Sequence, residues 1–176
     1  MQFEPNFWEL IPHSISSVPA KTTLLEAGHY ASRLFVIKAG TVRMWFNQDG
    51  KDVTLQFFFE GSPVCSFESF LKGIPSDFNI ETIEPSDILI IEKDDILAFL
   101  ESHPQEKERT AMFLIDRMIY YIQLFLSRIK DNPQKRYENL IQENPEILRR
   151  VPQHYIASYL GITPVSLSRI RARSLT

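Results

Sequence analysis

Between Val18 and Glu92 the apolar residues fall into short runs rich in β-branched and aromatic side chains: SRLFVI, TVRMWF, VTLQFFF, FNIETI and DILIIE. Turn-forming residues separate them at Gly28, Lys38-Ala39-Gly40, Asp49-Gly50, Glu60-Gly61 and Glu84-Pro85. Short strands at a spacing of about 8–12 residues predict an all-β sandwich or roll. Asn47-Gln48-Asp49-Gly50 reads as a hairpin loop, with Gly50 free to take a positive φ. Ahead of the roll, Asn6 to Ile11 has room only for a short helix.

The pattern changes at Pro104. From there to Lys130 runs a segment without internal Gly or Pro, PQEKERTAMFLIDRMIYYIQLFLSRIK. Acids in its first turns and Arg128 and Lys130 in its last suit the helix dipole, and one long helix is predicted. Ala111, Ile115, Met118, Ile122, Phe125 and Ile129 alternate spacings of four and three, as the seam of a coiled coil does. Phe113, Leu114, Tyr121, Leu124 and Leu126 lie off that stripe, so the helix has more apolar surface than one seam uses. One face is expected to pack on the roll and the other on a second copy of the chain; the alternative is a helix buried wholly within one chain. Asp131-Asn132-Pro133 breaks the helix, because Pro disfavours αR in the residue before it, and reads as a hinge. One or two short helices follow, interrupted at Asn144-Pro145.

The last segment reads as two helices about a tight turn. Pro152 suits the first position of one helix, Gly161 the turn, and Thr163 the N-cap of a second helix with Pro164 at its first position. Ile156, Ala157 and Leu160 face inward from the first helix, while Ile162, Leu167 and Ile170 close the other side. This is helix-turn-helix spacing. It leaves Val165, Ser166, Ser168, Arg169, Ala172 and Arg173 on the outer face of the second helix. Hydroxyls and guanidiniums can hold phosphate, and Arg can read guanine in the major groove. His154, Thr163, Val165, Ser166, Ser168, Arg169 and Arg173 are therefore the expected DNA contacts.

Charge supports that reading. The net −3 of the 176 residues is unevenly divided: residues 1–132 carry 12 Lys/Arg against 19 Asp/Glu, and residues 133–176 carry 7 against 3. From Arg149 onward there are five arginines and no acid. A basic segment on an acidic body suits an anionic partner such as nucleic acid, the alternative being a solvated basic tail. With 44% hydrophobic residues and 13 Phe the chain is too apolar to be disordered. The single cysteine, Cys65, excludes an internal disulfide and a multi-thiolate metal site, which suits a reducing compartment. With no basic leader and no long apolar run at the start, a cytoplasmic protein without membrane association is expected. Of four histidines only His29 falls in the roll, so a cupin-type metal enzyme is the weaker alternative; no enzymatic activity, metal or cofactor is expected. Cys65, with no base within six positions, reads as a buried small hydrophobe rather than a redox sensor.

In its order of β-roll, long helix, hinge and helix-turn-helix, the whole chain resembles the Crp/Fnr family of bacterial transcription regulators. Val36-Ile37-Lys38-Ala39-Gly40-Thr41-Val42 and the stretch from Tyr155 to Ile170 carry the resemblance most specifically. It implies an α+β protein divided into three parts: a double-stranded β-helix (jelly-roll, cyclic-nucleotide-binding-like) sensor domain over 1–103, a dimerisation helix and hinge over 104–132, and a helix-turn-helix DNA-binding domain over 133–176. The expected partners are double-stranded DNA, a second copy of the chain, RNA polymerase and an unidentified small-molecule effector, with no membrane.

The resemblance departs at two places. Cyclic-nucleotide-binding members carry a Gly-Glu pair for the sugar and, about ten residues on, an Arg-Ser or Arg-Thr pair for the phosphate. Here Cys65-Ser66 and Ser76-Asp77 stand at those places, and no Arg occurs between Arg43 and Arg109. Cyclic AMP is therefore not expected; any other effector is assigned to a pocket of Phe57, Val64, Ser66, Phe67, Ser76 and Asp77 with the facing side of the long helix, the alternative being a roll that is a filled structural core. In the second helix Pro164-Val165-Ser166 replaces the family's frequent Arg-Glu before its Thr, while the later arginine is retained as Arg169. With the sequence ending at Thr176, a short or absent β-wing is expected. The competing functional reading is a small-molecule-sensing or protein-interaction module of the same fold without specific DNA binding.

Overall fold

The computed structural model describes residues 7–174. A 3-10 turn, Phe7–Leu10, leads into eight strands: β1 Ser14–Val18, β2 Thr23–Leu25, β3 Arg33–Ala39, β4 Val42–Gln48, β5 Lys51–Phe58, β6 Pro63–Val64, β7 Asn79–Thr82 and β8 Ser86–Glu92. Helix α1, Phe67–Lys72, interrupts them between β6 and β7. The strands form two antiparallel four-stranded sheets in the orders β1-β8-β3-β6 and β2-β7-β4-β5. All five predicted runs are strands; β1, β2, β6 and α1 are additional to them, and each is too short or too polar to carry its own period. The β4–β5 turn is tighter than the predicted four residues. Strand pairing runs to Gln48 and Lys51, and the turn is Asp49-Gly50, both at positive φ. That is the two-residue geometry whose twist matches its strands.

The first sheet is buried on both faces, which explains why β3 and β8 are near-continuous apolar runs instead of alternating ones. Phe35, Ile37 and Ile88 point between the sheets, against Val42, Phe58, Val64 and Ile80. Leu34, Val36, Leu89 and Ile91 point outward, where Phe7, Trp8, Ile11, Phe70, Ile96 and Phe99 cover them. Ile96 and Phe99 come from α2, Lys93–Ser102, a helix not separately anticipated. Gly40 turns β3 into β4 with φ +101°, and a Cβ there would lie 2.8 Å from the Ser86 Cα, so only Gly fits that corner.

Helix α3 spans Pro104–Lys130, as predicted, and none of its residues is fully buried. The hinge stops it at Asp131. Asn132 then caps α4, Pro133–Glu143, accepting a hydrogen bond from the Lys135 N–H at 2.9 Å. Helices α5 Ile147–Arg150, α6 Gln153–Leu160 and α7 Pro164–Ser174 follow it. Pro152 stands one position earlier than expected, at the N-cap of α6, because its ψ of 138° is extended.

A third core joins the two parts of the molecule. Tyr137, Leu140, Ile147, Val151, Tyr155, Ile156, Ala157, Leu160 and Leu167 pack together with Phe57 and Ile83 of the roll. The helical segment is thus laid against the outer face of the second sheet.

Candidate nucleic-acid interface

The α6–α7 pair is built by its small and apolar positions. Ala157 and Ile156 are buried where the helices meet, and Leu160 and Leu167 close the contact. Gly161 ends α6 in the left-handed region with φ 67°, and its N–H is bonded to the Ala157 and Ser158 carbonyls. Thr163 caps α7 as predicted: its Oγ1 accepts from the Ser166 N–H at 3.2 Å. Pro164 then occupies the first helical position, where it forfeits no hydrogen bond.

With Leu167 turned inward, the opposite face of α7 stands open. Val165 is 62% exposed, and Ser168, Arg169, Ala172 and Arg173 are exposed beside it. Ser166 is half-buried, partly turned toward its cap. His154 is exposed at the start of α6, its ring 4.0 Å from that of Tyr155. The structure therefore gathers Val165, Ser168, Arg169 and Arg173 on one helix face, leaves Thr163 at its head, and sets His154 on the neighbouring helix.

Among the described residues three polar side chains, Arg150, Arg43 and Ser158, hold this unit on the roll. Arg150 donates to both oxygens of Glu60, at 2.6 and 2.9 Å, and to Glu84 at 2.7 Å. Arg43, 2% exposed, bonds Asp52 at 2.8 Å and Glu81 at 3.1 Å, with its guanidinium 3.8 Å from the Tyr155 ring centre and 4.6 Å from that of Trp45. Ser158 accepts from the Thr54 N–H at 2.9 Å and donates to the Asp52 carbonyl at 2.7 Å. Hydrogen bonding to Arg150 and to the Gly40 N–H holds the Glu60 carboxyl down at about 2. Sequence patterning gave no sign of this docking. Glu60, Glu84 and Arg150 are 24 or more positions apart, and a buried arginine inside the run TVRMWF looks like any outward polar residue of a strand.

On α3 the half-buried positions are Glu106, Thr110, Phe113, Asp116, Arg117, Tyr120, Leu124 and Ser127. The seam of Ala111, Ile115, Met118, Ile122, Phe125 and Ile129 lies on the far side, about 145° around at roughly 100° per residue, and every one of its members is exposed. Phe125 and Ile129 are 63% and 66% exposed.

The first part of the chain, residues 15–103, matches the family model of the cyclic nucleotide-binding domain. The chain belongs to that family. Solved structures extend the likeness to the helical segment. FixK2 from Bradyrhizobium japonicum superposes with a TM-score of 0.79 at 15% identity, covering 93% of this chain and 84% of that one. The c-di-GMP-responsive global regulator CLP of Xanthomonas campestris does so at 0.71 and 13%, covering 93% and 86%. The catabolite activator protein of Thermus thermophilus gives 0.58 and 20%, covering 97% and 86%. At these identities the likeness is one of fold, and the fold matches the Crp/Fnr resemblance read from the sequence. Among curated protein sequences none is a significant match.

Within this cyclic nucleotide-binding domain the residues assigned to an effector pocket are not brought together. Phe57 points out of the roll, 5.5 Å from the ring of Tyr159, because the alternation along β5 sends Phe58 and not Phe57 between the sheets. Val64 is fully buried in the inter-sheet core, and Phe67 packs on the opposite face of the first sheet. Ser66 precedes α1, and Ser76 Oγ is occupied by the Phe78 carbonyl and N–H at 2.8 and 3.0 Å. Asp77 is exposed. Burial pushes the Cys65 thiol up to about 12, which leaves it protonated and unreactive. Among the described residues no helix is long and apolar enough to cross a membrane, and no cluster of His, Cys, Asp and Glu could hold a metal.

Proposed function

We propose that this protein is a DNA-binding transcription regulator of the Crp/Fnr type, acting as a dimer that pairs through α3 and reads a near-palindromic site with α7. The observation that carries the reading is the face of α7. A helix held from behind by Leu167 and capped by Thr163 presents Val165, Ser168, Arg169 and Arg173 to solvent with no acid among them. Such a face has the two capacities a major-groove helix needs, guanidinium for base edges and hydroxyl or guanidinium for phosphates.

Dimerisation supplies the second half. Helix α3 leaves a 27-residue element with no fully buried side chain and an apolar stripe on the side away from its own chain. Pairing those stripes places two α7 helices about a two-fold axis, which suits half-sites one helical turn, about 34 Å, apart. The roll serves as a sensor or scaffold without the cyclic-phosphate arginine. RNA polymerase is a further partner on this reading, and a location in the cytoplasm follows from it.

The test is titration of labelled random duplex at several salt concentrations, followed by selection of a preferred site. A competent reader binds random duplex at low salt with log affinity falling linearly in log salt, and enriches a palindrome. No binding at low salt overturns the proposal.

A further inference from the structure

A cleft of about 200 Å3 opens where α3, α4 and α6 meet. Tyr120, Leu124, Arg128, Arg136, Glu143 and Tyr159 form its walls. It is separate from the exposed face of α7, from the seam of α3 and from the interior of the roll.

The two arginines differ from those that fasten the helical segment to the roll. The arginines that meet the roll are neutralised by carboxylates: Arg43 by Asp52 and Glu81, Arg150 by Glu60 and Glu84. Arg128 and Arg136 instead bond only backbone carbonyls among the described residues. Arg128 donates to the Tyr159 carbonyl at 3.1 Å, and Arg136 to those of Leu160 and Asp131, each at 2.9 Å. The Nε of Arg136 is buried and has no acceptor. Carbonyl bonds orient a guanidinium but leave its charge uncompensated, and a buried N–H without an acceptor is costly. Among the described residues of the lining Glu143 is the one acid, against two arginines. Tyr120, Leu124 and Tyr159 give one aromatic and aliphatic wall, while Gln123, Ser127 and Asn139 add neutral polar groups to the lining. Burial pushes the Tyr120 and Tyr159 phenols up, which keeps both hydroxyls protonated and able to donate.

We propose that this cleft binds a compact organic anion, with a carboxylate or phosphate head held between Arg128 and Arg136 and a flat apolar body lying against Tyr120, Leu124 and Tyr159. The volume sets the size. Pockets for drug-sized ligands run from roughly 300 to 1,000 Å3, so this one suits a ligand smaller than a nucleotide. Ligand binding rests on the cleft alone. Its regulatory meaning rests on the function proposed above, since an anion there ties the end of the dimer helix to α4 and to the helix that precedes α7.

Calorimetry on the full chain with benzoate and phenyl phosphate, and with acetate and inorganic phosphate as head-only probes, tests the site without reference to DNA. One aromatic probe binds saturably, one per chain, and its partner head group binds more weakly; which of the two binds says whether the head is a carboxylate or a phosphate. Arg128→Gln, at an exposed position, removes a charge-assisted contact and weakens binding about tenfold or more. Glu143→Gln, also exposed, relieves repulsion and tightens it, a gain that a misfolded variant cannot mimic. The absence of saturable binding by either aromatic probe overturns the proposal, as does binding that neither substitution changes. Head-only probes binding as tightly as the aromatic ones overturn the assignment of the aromatic wall.

Discussion

Arg150 and Glu60, ninety positions apart, meet in a two-bonded ion pair that fastens the helical segment to the β3–β4 corner of the roll. The same Glu60 carboxylate accepts the Gly40 N–H at 2.9 Å, and Glu84, the second acceptor of Arg150, takes the Thr41 hydroxyl at 2.6 Å. The corner that only glycine can turn is thereby tied, through the Glu60 and Glu84 carboxylates, to Arg150 at the end of α5.

This pair makes stability acid-sensitive. Glu60 falls from an ordinary 4.5 to about 2 in the folded chain, first because Arg150 hydrogen-bonds it. A carboxyl lowered by folding contributes its full stabilisation above about 4.5 and loses it as pH falls toward about 2. Since Glu60 is nearly half exposed, solvent screening limits the contribution to the order of 1 kcal/mol. Urea midpoints measured from pH 6 down to pH 2.5 should fall more steeply in the natural protein than in Glu60→Gln. Parallel curves refute the pair's role.

Arg43 is a stronger anchor. It is buried, doubly paired and stacked between Trp45 and Tyr155, and its removal leaves Glu81 facing an apolar gap. Arg43→Ala should cost about 3 kcal/mol, and Tyr155→Leu should lower the melting temperature while leaving Glu81 paired. Equilibrium unfolding of the two variants and of the double variant would show coupling between them; strict additivity would mean the stacking contributes nothing.

Dimerisation through α3 predicts sedimentation at about twice 20.5 kDa. Met118→Asp and Ile122→Asp place carboxylates in the middle of the exposed stripe and should give monomers with unchanged circular dichroism. A natural chain that is monomeric at micromolar concentration, on and off DNA, removes the dimer reading.

Cyclic AMP and cyclic GMP should bind poorly or not at all. The expected phosphate position offers Ser76, already bonded within its own turn, and Asp77, whose charge repels a phosphate. Micromolar affinity by calorimetry contradicts this.

For DNA, Arg169→Ala should cost roughly 1–3 kcal/mol per half-site and relax preference at one base pair, whereas Arg173→Ala should weaken all sequences alike and lower the salt slope. If both weaken specific and random duplex equally, Arg169 is not the reader. If neither has any effect, α7 does not bind DNA.

The sequence by itself determined the elements whose signals are local. Strand β4 and the α3 boundaries follow from apolar period and from the proline and dipole signals at helix ends. The α6–α7 turn follows from Ala157, Gly161, Thr163 and Pro164, each demanded by sterics within a few residues. It also determined that no arginine stands where cyclic-nucleotide-binding members hold the phosphate, because absence over the stretch from Arg43 to Arg109 needs no coordinates. What it could not determine was which side of a strand or helix meets a distant one. Phe57 and Phe58 are equivalent in composition, and only the pairing of β5 with β4 decides that one enters the roll and the other receives Tyr159. Nothing in the run around Arg43 marks it as buried, since Tyr155 of α6 covers it, and the cleft between Arg128 and Arg136 exists only where three helices converge. Such contacts depend on packing between elements far apart in the chain, and no local period encodes them.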